Sequence, residues 1–436
     1  MTIETQLALL VNTKEDLREA LGLSIDEPFA EYPNVIESKK VDVVQSQGFS
    51  KVKVMSQHAV TNAISAIAGY VGYATGEYSG EYGLEWDSVK DTYQRTGVRE
   101  FTAIQNMMKR CVLNEDGTVN YFLDRFNSNY KADGTPAKLD GTDGNVMVQV
   151  PKFYVKYGNE GTKRSMSVSL GVITEGVVDR TTPPAGYVLH PAFIKGGVEV
   201  DFRYYRAYKG FEQGGKLRSI SGVLPTRSKT LPAFRTIAEA NGAGWHQTDW
   251  NLLNAIRTLL FIEFGSFDAQ KALGNGNHLG GVYAKITGAS NKRGNLSSSP
   301  DTIGWMSYRG IENFYAEAWE WVDGVNVKDR EVFVNGDYTT FASDVFTPPY
   351  VSTGKSLPAS SYIKDMYFDI SGIIPTLGGG TSATYITDYV YSAATTDNVM
   401  AFGGAADLGL VCGSSCLIAG LSSAGANVLY GAGVSF

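Results

Sequence analysis

The sequence predicts an α+β protein in four segments, and three observations carry that reading. Helical punctuation fills the first 78 residues. Strand-like pieces separated by Gly, Asp and Asn turns begin at Glu81. One long stretch with a helical period interrupts them near Thr248. The segments are a turn-rich module (1–45), a helical neck (46–78), a β-rich middle region (79–224) and a C-terminal domain (225–436). A chain of 436 residues exceeds what one ordinary core organises, which agrees with several units.

In the first segment, TKEDLREALG offers Thr13 as a helix N-cap, acidic residues in the first turn and Gly22 as the stop. The N-terminus lacks a basic region followed by a long apolar run, so no signal peptide is read and the chain is expected to be made in the cytoplasm. In the second segment Val60, Ile64, Ile67 and Val71 repeat at steps of four, three and four, the seam of a short coiled coil. From there GNVMVQVPKFYVKY, SMSVSL and VEVDFRYYRAYKGF read as strands. DGTPAKLDGTDG has the composition of a calcium loop but not the EF-hand spacing, and reads as turns. In TDWNLLNAIRTLLFIEFG, Thr248 is the expected cap, and Leu252, Ile256, Leu259 and Leu260 share one face.

Composition excludes several functions. The formal net charge is −7, and Lys and Arg form no basic block, so neither nucleic acid nor an anionic membrane is an expected partner. No apolar run approaches the ~18 residues of a membrane span. The three cysteines Cys111, Cys412 and Cys416 are read as free buried thiols, with no metal site and no cofactor motif. His246, in GWHQTDW, is read as a packing residue, and GNGNHLGG as an irregular loop.

NFYAEAWEWVDG (313–324) places Glu317, Glu320 and Asp323 among Trp319 and Trp321. Paired carboxylates near aromatics suit glycoside hydrolysis, yet as an extended segment both tryptophans share one face, with Glu320 on the other. Glu317 and Asp323 then fall on the tryptophan face and need hydrogen-bond partners there. The reading is an aromatic core with polar anchors, and no catalytic residue is assigned. The last stretch carries only Asp407 as charge in a background of Gly, Ala and Ser. Such a composition serves equally a recognition surface and a tightly packed β region.

EYGLEWD, TYQRTG, RCVLNEDGTVNYFLD, DGTDGNVMVQVPKFYVKY and LHPAF together resemble the middle region of phage tail-fibre and receptor-binding proteins. GIENFYAEAWEWVDG and the closing FGGAADLGL…YGAGVSF resemble the C-type-lectin-like fold of phage tropism determinants and formylglycine-generating-type proteins. KVMSQHAVTNAI is similar to a segment upstream of such fibre tips. The resemblance implies a tail fibre in the virion. The N-terminal module would bind other tail proteins, a homo-oligomer (a trimer favoured) would form through the neck, and the lectin-like domain 225–436 would bind a host cell-surface glycan or protein. It implies a core containing Trp305, Trp319 and Trp321, and a receptor surface drawn from Asp407, Leu408, Ser414, Ser415, Ser422, Ser423, Asn427 and Tyr430. Alternatives are a structural baseplate or collar component and a glycan-degrading tail enzyme. Two features depart from the family. Gly431-Ala432-Gly433-Val434 lacks the terminal arginine of its best-known members, and no Glu-Pro-Asn-like triplet for calcium-dependent sugar binding is present.

Overall fold

The computed structural model describes residues 81–97, 103–174, 177–279, 285–297, 299, 304–394 and 399–436. The expected N-terminal module and helical neck lie outside them. All described residues belong to one unit, Gly69–Phe436.

The α+β expectation is corrected to a mostly β architecture, with 38% strand against 13% helix. The reason is local. Most strands are only two to seven residues long and separated by glycine turns, so three large sheets are assembled from distant pieces. The first is antiparallel and five-stranded, in the order Val188–Leu189, Tyr154–Glu160, Lys163–Ser169, Glu81–Asp87, Thr92–Gly97. Its strand Glu81–Asp87 sends the alternate residues Tyr82, Leu84 and Trp86 into the core.

The second sheet has six strands, in the order His246–Gln247, Val434–Ser435, Phe202–Arg206, Asn145–Pro151, Lys109–Leu113, Val119–Phe122. It therefore draws strands from both sides of residue 224, and the middle and C-terminal segments share one core. Every residue of Asn145–Pro151 is buried, which explains its continuous rather than alternating apolar pattern.

The third sheet has seven strands, in the order Gly372–Gly378, Ser361–Asp369, Tyr389–Ser392, Leu417–Leu421, Val399–Phe402, Trp319–Val322, Tyr430–Gly431. Two of its pairings are parallel: Tyr389–Ser392 with Leu417–Leu421, and Trp319–Val322 with Tyr430–Gly431.

The helix Trp250–Phe264 packs among these sheets. It stops at Gly265, whose φ of 60° is the left-handed conformation glycine adopts without strain. Two expectations shift here. Asp249, not Thr248, is the cap and accepts from the Leu252 N–H, while the Thr248 hydroxyl turns away to Glu320. The helix is buried nearly all round, Asn254, Arg257 and Thr258 included, so no single apolar face distinguishes it.

Candidate recognition surface

The strand Trp319–Val322 organises the C-terminal end of the chain. Trp321 is fully buried and Trp319 only 3% exposed. Trp321 stacks on Tyr430 with centroids 4.7 Å apart, and its indole N–H donates to the Lys229 carbonyl (3.2 Å). Trp319 meets Tyr391 edge-on. Trp305, expected in the same core, is only half-buried: the inward position beside it belongs to Met306.

Each carboxylate of the stretch has its own cation. Glu320 is fully buried and held by Arg206 and Lys209. It also accepts from the hydroxyls of Thr248 (2.6 Å) and Tyr205 (3.0 Å). Burial alone would raise its pKa, but the Arg206 guanidinium and the Lys209 ammonium outweigh it and hold the carboxyl well below the usual range. Asp323 is paired with Arg235 (2.5 Å). Glu317 accepts from the Asn277 amide (2.6 Å), the Lys285 backbone N–H (2.7 Å) and Arg227 (3.3 Å). All three carboxylates are engaged in this way and are at most 2% exposed.

Arg206 reaches Glu320 from the strand Phe202–Arg206, and its side chain lies directly over Gly433. A Cβ at Gly433 would fall inside the van der Waals radii of Arg206 Cδ and Glu320 Oε1, and 2.6 Å from Thr248 Oγ1. Gly433→Ala is therefore expected to destabilise the fold by about 1–3 kcal/mol through overpacking. A denaturant midpoint equal to wild type would refute that close packing.

Glu317 does a second job. Ala316 and Glu317 are consecutive non-glycine residues with positive φ, 61° and 70°, so the chain turns sharply before the strand begins. The alternation expected for an extended segment thus does not reach Glu317. The turn lets several loops converge on it. The Glu317 N–H donates to the Asn277 carbonyl (3.0 Å), and the Ala406 N–H donates to the Glu317 carbonyl (3.2 Å). The Gly409 N–H donates to the His278 carbonyl (3.1 Å) and the Trp319 N–H to the Leu429 carbonyl (2.9 Å). Arg227 ties in a further loop through the Val428 carbonyl (3.1 Å).

The expected receptor residues divide accordingly. Asp407 and Asn427 are exposed on two of the converging loops, and Leu408 is half-buried beside Asp407. Tyr430 is half-buried because its ring serves the Trp321 stack. Ser422 and Ser423 are half-buried, with the Ser423 hydroxyl donating to Asp344 (2.7 Å). Ser414 and Ser415 are corrected outright: both are fully buried and offer no surface. The Ser415 N–H donates to Asp388 and the Ser414 carbonyl accepts from Arg257, which together pull that loop inward.

Sequence reading missed the residues that accompany Asp407 and Asn427. Leu224, Leu279, Ile286, Leu410 and Val428 are large aliphatic side chains, each more than half exposed, in the loops gathered around Glu317 and Arg227. A single apolar residue in a glycine-rich loop gives no periodic signal, so nothing in the sequence marked them. The described part of GNGNHLGG, residues 274–279, is irregular and supplies Asn277 to Glu317.

Elsewhere, His246 is buried and stacked on Tyr338 (4.9 Å), with ring nitrogens occupied by Asp249, Arg203 and the Gly244 carbonyl. All three cysteines are free and buried. Among the described residues no helix is long and apolar enough to cross a membrane, and no group of three or more His, Cys, Asp or Glu is placed to hold a metal ion. No protein-family model and no curated protein matches the chain.

Proposed function

We propose that this chain is a receptor-binding protein of a phage tail, and that the loops gathered on Glu317 carry its recognition surface. The observation that supports this most is their composition: five exposed aliphatic side chains stand with Asp407 and Asn427 on loops tied to the buried Glu317 and its partner Arg227. Exposed apolar groups gathered on anchored loops are the kind of surface an interaction site uses. Binding by several copies on one particle would strengthen modest single-site affinity. The engagement of Glu317, Glu320 and Asp323 in ion pairs favours this reading over a glycan-degrading enzyme.

Adsorption of the labelled full-length protein to intact bacterial cells tests it. Saturable binding, competed by unlabelled protein, is expected on at least one bacterial strain. The combined change Asp407→Ala and Asn427→Ala should weaken it while moving stability by no more than about 0.5 kcal/mol, as exposed positions do. Saturable binding to no strain would end the proposal.

A further inference from the structure

The loop that follows Asp407 and Leu410 rests on a second buried group of polar residues. Asp388 is fully buried, its Oδ2 accepting from the Ser415 N–H (2.6 Å). A Cβ at Gly413 would lie 2.5 Å from Asp388 Cγ, so the loop crosses the carboxyl at its bare glycine. On the other side, Arg257 Nε donates to the Ser414 carbonyl (2.7 Å), and its Nη1 to Asn254 Oδ1 (2.8 Å) and the Ile373 carbonyl (2.9 Å). The Gln270 amide donates to the Cys412 and Leu410 carbonyls.

These residues nevertheless leave five buried polar atoms without a protein partner: Arg257 Nη2, Gln270 Oε1, Asp388 Oδ1, Ser414 Oγ and Ser415 Oγ. Native interiors match nearly all such atoms, because an unmatched one is not repaid for the water it lost. Five around one loop therefore point to a ligand.

We propose that this site binds a small cluster of ordered water that bridges Asp388 to Arg257 and seats the loop Cys412–Cys416. The chemistry of the atoms selects the ligand. A cation would serve Asp388 and the hydroxyls, but would leave Arg257 Nη2 unmatched and meet the guanidinium with like charge. An anion would serve Arg257 and meet Asp388 with like charge. Water both donates and accepts, so it can serve all five. Burial pushes the Asp388 carboxyl up to about 7, the Ser415 N–H opposes this and Asp268 adds to it, while Arg257 and Thr387 favour the charged form. That balance agrees with a guanidinium that faces Asp388 across a gap rather than in direct contact. The site stands independently of whether the loops above it bind a receptor.

A crystal structure of the full chain at a resolution that orders solvent, together with elemental analysis of the same protein, tests the proposal. Expected is water within about 3 Å of both Asp388 Oδ1 and Arg257 Nη2, with no stoichiometric metal. A direct Arg257–Asp388 contact, a dry pocket, or one equivalent of bound metal at Asp388 would each overturn it.

Discussion

Glu320→Ala is expected to unfold the domain or bring it close to unfolding. The substitution leaves Arg206 and Lys209 buried and facing one another without their shared carboxylate. Removing one partner of a buried pair costs about 3–5 kcal/mol, and here two cations are stranded rather than one. Total stabilities of about 5–15 kcal/mol make that decisive. Arg206→Ala should cost a comparable amount, because the Glu312 and Asn313 carbonyls also lose their guanidinium donor. The pair also sets the response to acid. A carboxyl held below its ordinary value in the fold contributes stability that is complete above that ordinary value. The contribution is lost as pH falls towards the folded value, so Glu320 adds to acid unfolding. A Glu320→Ala protein with wild-type unfolding that has lost only an activity would return this carboxylate to a catalytic role.

Trp321→Ala should cost about 3–5 kcal/mol. The indole is fully buried, donates to the Lys229 carbonyl and carries the Tyr430 ring, so its loss opens a cavity and frees the strand that ends the loop 422–430. Receptor adsorption is expected to fall with the fold, in proportion to the unfolded fraction. Thermal unfolding followed by near-ultraviolet circular dichroism measures it, and a melting temperature unchanged from wild type would refute the core assignment.

Several parts of this arrangement could be read from sequence because their causes are local. The helix Trp250–Phe264 is announced by its apolar spacing, and only its cap shifts by one residue, from Thr248 to Asp249. The strand Trp319–Val322 follows from aromatic alternation. The cation for Glu320 could not be read, because Arg206 lies 114 positions away and reaches it only through the fold. The same cause hid the burial of Ser414 and Ser415: their run is small and polar as a surface loop would be, yet Asp388 and Arg257 draw it inside. The α+β expectation leaned on helical punctuation before residue 78 and on one conspicuous helix. It underweighted strands of two to four residues, too short to show a period.

The separation between a rigid base and an exposed recognition surface is tested most directly by one paired measurement. Leu410→Asp and Val428→Asp alter side chains that are 57% and 52% exposed, on two different loops anchored through Glu317 and the strand after it. The double variant should melt with the wild-type protein. Its adsorption to receptor-bearing cells should weaken at least about tenfold, equivalent to ~1.4 kcal/mol of binding free energy. Undiminished adsorption by this folded variant would contradict the account and move recognition to another face of the molecule.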